Sequence, residues 1–312
     1  MSTTQTPRPV AAEAPGGQRA GTPRHTGADA HLLRSDQGRG RATAGRWVFL
    51  AVVAAGTLVL LLPFLIIVFT AFKPVTEVNA YPPTLVPHSW TLDNFTVIFS
   101  QLPFARLIVN SVVFAGGVTV CALVFDSLAA YALARIDFTG ARTLLVLIVA
   151  SLMIPFQATL VPIYQLVSDL GWVNTYAALI VPRAADAFGI FFLRQFFLAL
   201  PRDLDNAARL DGASEWRIYR SIVLPNAVPA LLTLGVFTFV NNWNDLLWPL
   251  VFSTGADMGT ITSGLTLLTG PSGIVPYGVM MAGSLIALAP LAVLFLMVQR
   301  RFVASVGTTG LK

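Results

Sequence analysis

The side chains able to do chemistry in this 312-residue sequence are few, and most stand apart from one another. Histidines occur only at His25, His31 and His88, and the single cysteine, Cys121, lies inside an apolar run. That set offers no metal-ligand spacing, and one cysteine excludes an intrachain disulfide. No glycine-rich phosphate loop, zinc-protease helix or serine nucleophile elbow is present. What remains is polar residues in apolar surroundings: Asp126, Arg183 with Asp186, and the run Asn241-Asn242-Trp243-Asn244-Asp245 with Trp248 close behind. Amides and carboxylates satisfy hydroxyl groups, and indole rings cover C–H faces, so this run suits a solute with clustered hydroxyls on an apolar ring. Consecutive helical positions fan out by about 100°, so the five cannot all face one side. The same groups also suit hydrogen bonding between helices. Arg183 and Asp186, three apart, can pair on one helix face and either line a path or tie helices together. Asp126 is read as structural.

Composition points to the scaffold that carries these side chains. The chain is 55% hydrophobic and 11% charged, with a mean hydropathy of +0.71. Soluble domains carry about 25% charged residues, so this chain cannot cover a water-facing surface and its solvent is largely lipid. Runs long enough to span a bilayer are Trp47–Phe72, Leu107–Ala134, Thr143–Leu166, Ala177–Leu200, Val228–Phe252 and Tyr277–Val298. Pro155, Pro162, Pro182 and Pro249 interrupt them, as hinges or as static bends. Residues 1–46, rich in Pro, Gly, Thr and Arg, bury too little to offset ordering and are expected to form a disordered tail. Residues 47–312 then form one membrane domain.

Charge placement orients the spans. Of the twenty lysines and arginines, seventeen fall on one side when six spans are drawn with both termini inside. Lys73 and Arg106 fall outside, and Arg183 falls within a span. Positive charge marks the cytoplasmic side, so the net charge of +5 serves as a topology signal and calls for no nucleic acid. The arginines of the tail also suit contact with anionic lipid. The outer segment Lys73–Arg106 fits either a docking loop or a connector with a short helix.

One inner loop is more than a linker. Over residues 201–225, Leu204, Ala207, Ala208 and Asp211 fall on one helical face, while Arg202, Asp205 and Arg209 occupy another. Gly212 is a natural break, after which Trp216, Tyr219 and Val223 form a second apolar stripe ending at Pro225. The pattern predicts two short helices joined at a glycine. Their small apolar face, flanked by charge, suits a groove on a soluble partner or the lipid headgroup layer.

This loop resembles the coupling motif of ATP-binding-cassette importer permeases: Glu-Ala-Ala, three residues, Gly, nine residues, Ile, any residue, Leu-Pro. Ala207, Ala208, Gly212, Ile222, Leu224 and Pro225 stand in register with it, and Asn206 replaces the usual glutamate. The string from Ala207 to Trp216 is similar to the carbohydrate-importer branch. Further likenesses run in order along the chain: Ala129 to Arg135 with Phe138 and Gly140; Ile154-Pro155; Pro162-Ile163-Tyr164; Phe192 to Phe197; Trp243 to Pro249; Gln299 to Val303; and the terminal Gly310-Leu311-Lys312.

The resemblance implies an all-α integral membrane protein with the type I ABC importer permease fold, six transmembrane helices and a cytoplasmic coupling helix, its core over about 107–300. It implies location in a prokaryotic cell membrane with both termini cytoplasmic. The implied partners are a cytoplasmic ATPase dimer that uses ATP and Mg, a second homologous permease and an extracellular solute-binding protein. This chain would bind no cofactor and catalyse nothing. Asp205, Asn206, Ala207, Ala208, Asp211, Gly212, Ile222, Leu224 and Pro225 would serve coupling. Asn241, Asn242, Trp243, Asn244, Asp245, Trp248, Arg183 and Asp186 are the candidates for the path of a sugar. Glycerol phosphate, carried by a close branch, and an ion-driven transporter are the alternatives.

Overall fold

The computed structural model of the protein describes residues 36–255, 257–268 and 276–309, and among these every regular element is helical. Three helices are long and apolar enough to cross a bilayer alone, over Gly45–Ala71, Phe104–Arg135 and Tyr277–Met297. Three further pairs reach that length only together. Ala141–Ser151 with Phe156–Asp169 is bent by 100°, Tyr176–Arg183 with Ala187–Ala199 by 44°, and Glu215–Asn226 with Val228–Trp243 by 77°. The expected continuous spans over 143–166 and 177–200 are therefore each broken. Pro155 causes the first break: it lacks an N–H, disfavours helix at Ile154 before it, and stands extended at φ −63, ψ 129. The second falls beside Pro182, in a tight turn over Val181–Arg183. The fifth expected span, 228–252, stops at Trp243 and restarts as a short helix over Leu247–Phe252.

The chain divides into two compact units, residues 1–62 and 63–312. In the first, the expected disordered tail lies outside the described residues over 1–35, whereas from Asp36 the chain is already helical. The helix over Asp36–Ala71 is α1. Trp47, Val48, Phe49, Val52 and Leu60 on it are exposed, as side chains solvated by lipid would be.

In the second unit the organising element is the helix over Phe104–Arg135, named α2. Its buried positions Phe104, Leu107, Ser111, Phe114, Ala115, Val118, Ala122, Asp126 and Ala130 recur every three or four residues and form one stripe. That stripe packs along α3 (Ala187–Ala199) and α4 (Val228–Trp243). Small residues permit close approach: a Cβ on Gly189 of α3 would stand 2.1 Å from Asp126 Oδ2, and one on Gly235 of α4 would stand 3.3 Å from Leu123 Cδ1. At the Phe104 end, Asn110 Nδ2 donates to the carbonyls of Asp257 and Gly259, each at 2.9 Å, and Tyr176 Oη donates to Asn110 Oδ1 at 2.6 Å. These bonds lash two loops onto α2.

The segment 73–92 folds on a carboxylate. Glu77 accepts from Thr84 Oγ1 at 2.8 Å and from the His88 N–H at 3.0 Å. The Thr84 bond first, then those from His88, hold the Glu77 carboxyl below its ordinary 4.5, at about 2.

Two predictions follow from this packing. Gly189→Ala forces a methyl into the Asp126 carboxylate and should lower stability by about 1–3 kcal/mol, read as a depressed unfolding temperature in detergent. The Glu77 carboxyl titrates lower in the folded loop than in the unfolded one, so its contribution is complete above pH 4.5 and is lost as pH falls through about 2. Cleavage of the 73–92 segment by an acid-active protease should therefore accelerate over that window, and Glu77→Gln should make it fast throughout.

Candidate functional site

The break between Arg183 and Ala187 opens one wall of a cavity of about 330 Å³. Arg183, Asp186, Asn241, Asn242 and Trp248, five of the eight candidate path residues, line it. The break itself is held by carboxylates. The Asp186 N–H donates to Asp126 Oδ1 at 2.9 Å, and Asp186 Oδ2 accepts the Gly189 N–H at 3.2 Å, capping α3. Asp126 is fully buried, in line with its structural reading.

The expected pairing of Arg183 with Asp186 does not form. The helix that would place them on one face is interrupted between them, and Arg183 Nη1 bonds instead to Asp245 Oδ2. The other Asp245 oxygen accepts the Trp248 N–H at 3.1 Å, starting the short helix over Leu247–Phe252. The Arg183 guanidinium also lies 5.1 Å from the centre of the Trp248 ring. Trp243 is turned elsewhere: it is buried, its Nε1 donates to the Ala287 carbonyl at 3.1 Å, and its ring stacks on Phe239. Asn244 is exposed and donates to the Val240 carbonyl. The polar run thus divides as helical geometry requires, with Asn241 and Asn242 at the cavity and Trp243 and Asn244 away from it.

Thr159, Thr238, Phe156, Phe188 and Phe237 also line the cavity and were not foreseen. Thr238 was within reach of sequence reasoning, because it precedes Asn241 and Asn242 by three and four residues and shares their face. Phe237, four residues before Asn241 on the same helix, carried the same spacing signal, whereas Phe156 and Thr159 on one helix and Phe188 on another come from distant parts of the chain and carried none.

The loop over 201–225 forms the second candidate region. Helix α5, Asp203–Leu210, ends in the predicted glycine break: Gly212 has φ +76, its N–H donates to Arg209 O at 3.0 Å, and the Ala213 N–H donates to Ala208 O at 2.9 Å. These two bonds form a complete left-handed helix stop, which favours glycine. Ser214 then caps a turn of helix over Glu215–Ile218, and the chain continues through a wide turn over Tyr219–Val223 to Pro225.

The coupling candidates separate by exposure. Asn206, Ala207, Asp211, Gly212 and Pro225 are exposed, whereas Ala208, Ile222 and Leu224 are half-buried against a core of Ala130, Tyr131, Leu193, Phe197, Ile218, Tyr219 and Val223. Asp205 is buried and forms a 3.1 Å ion pair with Arg135 at the end of α2. Arg135 Nη2 also donates to the carbonyls of Phe197 and Leu200, closing the end of α3. The exposed Asn206 accepts from Arg209 at 3.4 Å, and Arg209 is paired in turn with Glu215 at 2.8 Å, to which Tyr131 Oη donates at 2.6 Å. The roles of Arg135 and Tyr131 escaped sequence reasoning, since their partners lie far along the chain.

Helical elements throughout the described residues, broken spans, a partly polar cavity and a two-helix loop pinned to the ends of α2 and α3 suit a membrane transport subunit. Residues 126–307 match the family described as binding-protein-dependent transport system inner membrane component, and the chain belongs to this family of ABC transporter permeases. It is 38% identical over 253 residues to the arabinooligosaccharides transport system permease protein AraQ of Halalkalibacterium halodurans, covering 80% of this chain and 90% of that one. It is 34% identical to the sn-glycerol-3-phosphate transport system permease protein UgpE of Escherichia coli, covering 80% of this chain and 91% of that one. A crystal structure of a bacterial ABC transporter involved in the import of the acidic polysaccharide alginate shares the fold, with a TM-score of 0.72 at 22% identity over 90% of this chain and 100% of that chain.

The buried pair generates a prediction. Arg135→Ala strands the Asp205 carboxylate and should cost about 3–5 kcal/mol, whereas replacing both partners, Arg135→Met with Asp205→Leu, should restore part of the loss, the carbonyls of Phe197 and Leu200 still lacking their donor. Thermal unfolding of the two variants against the unaltered protein in detergent checks this.

Proposed function

We propose that this chain is one half of the transmembrane pathway of a sugar or oligosaccharide importer, and that the loop over 201–225 couples it to a cytoplasmic ATPase. The observation that carries the coupling role is the construction of the loop. α5 exposes Asn206, Ala207 and Asp211 while Asp205, Ile218, Tyr219 and Val223 anchor the loop in the core. A short helix presented outward on so firm a base suits a groove on a soluble partner better than a loose position among headgroups. In this reading the three bent pairs are spans, giving six with the three long helices, and both termini face the cytoplasm. A second, homologous permease completes the path, and a solute-binding protein delivers the cargo outside. The ATPase dimer binds ATP and Mg, and its closure is transmitted through α5. This chain binds neither nucleotide nor metal.

The similarity to the arabinooligosaccharide permease supports a sugar as cargo, and the hydroxyl-binding groups of the cavity agree with it. The similarity to the glycerol-phosphate permease favours a second reading, for which Arg183 would be the cation.

Gly212→Pro tests coupling apart from cargo. Proline cannot adopt φ +76, so α5 loses its stop while the spans remain intact. The variant should insert and assemble normally but lose at least about tenfold in ATP-driven uptake, a transmission loss of about 1.4 kcal/mol. Uptake at the normal rate overturns the coupling role. Uptake that persists without ATP but collapses with the ion gradient overturns the importer reading in favour of an ion-driven transporter.

A further inference from the structure

We infer that the cavity beside the broken span is built for an uncharged, polyhydroxylated ring and excludes anions, so that the cargo is a neutral oligosaccharide rather than a phosphate or an acidic sugar. The inference rests on the importer reading above and sharpens it.

The charges facing the cavity point this way. Among its lining residues Arg183 is the sole cation, and that charge is already engaged. Its Nη1 bonds to the Asp245 carboxylate, and its guanidinium stands over the Trp248 indole. Asp245 is fixed in turn by the Trp248 N–H at 3.1 Å. The remaining charged lining residue is Asp186, exposed at the cavity. With Arg183 neutralised, Asp186 leaves the site negative. An anion entering it would shed water beside a carboxylate while its one possible counter-charge, Arg183, is already shared with Asp245, which is costly in a low-dielectric setting.

The hydrogen-bonding groups left open point to the same ligand. Asn242 and Trp248 are 6% and 2% exposed, and both line the cavity. Asn242 commits its Nδ2 to the Thr238 carbonyl at 2.8 Å, which leaves Oδ1 a buried acceptor without a partner. Trp248 Nε1 is a buried donor without a partner. One unpartnered acceptor and one unpartnered donor, on two residues that line the cavity, are matched by a ligand rich in hydroxyls, which give and take hydrogen bonds. A phosphate or carboxylate group only accepts, so it cannot itself satisfy Asn242 Oδ1, and the match at this atom falls to the hydroxyls of the ligand. Phe156, Phe188 and Phe237 supply apolar walls against which the C–H face of a ring can lie. A volume of about 330 Å³ lies at the small end of ligand sites and fits one or two sugar rings rather than a whole polymer. The Arg183–Asp245 pair is therefore a charge lock: it keeps a cation at the site for stacking and shape while denying it to anions.

The test uses the assembled importer, the chain with its sibling permease and ATPase in lipid nanodiscs, without binding protein. Calorimetric titration compares three neutral trisaccharides (arabinotriose, maltotriose and xylotriose) with sn-glycerol 3-phosphate. At least one trisaccharide should bind, and the phosphate should bind at least about tenfold more weakly, the equivalent of one net hydrogen bond. Trp248→Phe and Asn242→Leu, each removing one open group, should each weaken the trisaccharide by about tenfold. Asp245→Asn, which unlocks Arg183, should strengthen glycerol phosphate by about tenfold. If Asp245→Asn fails to assemble, the other two variants decide alone. Equal or tighter binding of the phosphate to the unaltered complex overturns the inference, as does binding by none of the trisaccharides or indifference of trisaccharide binding to both Trp248→Phe and Asn242→Leu. ATP-driven uptake is measured in parallel. A complex that imports glycerol phosphate with ATP keeps the importer reading and sinks only this inference, whereas a complex without ATP-driven uptake of any solute sinks the reading beneath it.

Discussion

A helix that breaks within a bilayer leaves backbone groups that no water can satisfy, and here the break at Val181–Asp186 is closed by two carboxylates. Asp126, rooted in α2, accepts the Asp186 N–H, and Asp186 accepts the Gly189 N–H to restart the helix as α3. The absence of a side chain at Gly189 lets α2 and α3 come close enough for this to happen. Because the break is satisfied internally, it can hold an opening. The cavity, the placement of Arg183 and the turn of Asn241 and Asn242 toward it all depend on that closure.

The same helix carries the consequence to the other end of the chain. Val118 and Ala122 of α2 line the cavity, and Tyr131 and Arg135 grip the loop over 201–225. Asp126 and Arg135 are separated by about 13 Å along a rigid rod at about 1.5 Å per residue. Arg135 holds Asp205 of α5 and also closes the end of α3, so α5 cannot shift without moving both helices that frame the cavity. This gives the proposed coupling a mechanical path made of one buried ion pair and one shared core. The departure at Asn206 leaves that path untouched: Asn206 is exposed beside Arg209, and the charge that anchors the helix is that of its neighbour Asp205.

Much of this was legible beforehand for identifiable reasons. Lipid as solvent demands long apolar runs, and these mark where membrane helices lie whatever their tertiary contacts. Gly212 was legible as a helix stop because a left-handed stop favours glycine and the flanking periods change there. The two-helix form of the loop over 201–225 was legible because its residues are close in sequence. The spans over 143–166 and 177–200 were read as continuous because hydropathy sums over a window and does not register direction. Pro155 and Pro182 warned of breaks without revealing an angle.

Composition and periodicity were enough to mark this chain as a helical membrane protein, to place the start and stop of its two-helix loop, and to single out the polar residues in apolar surroundings. Those properties depend on local composition and on neighbours three or four residues apart. Which charges meet is settled by the packing of the helices in space. Arg183 could have paired with Asp186 three residues on, but an interrupted helix separates them and delivers Arg183 to Asp245 instead. Arg135 and Asp205, Asp126 and the Asp186 N–H, and Tyr131 and Glu215 are likewise partners chosen by the packing of distant helices. A buried charge must find its counterpart in space, and distance along the chain carries no record of which counterpart that will be.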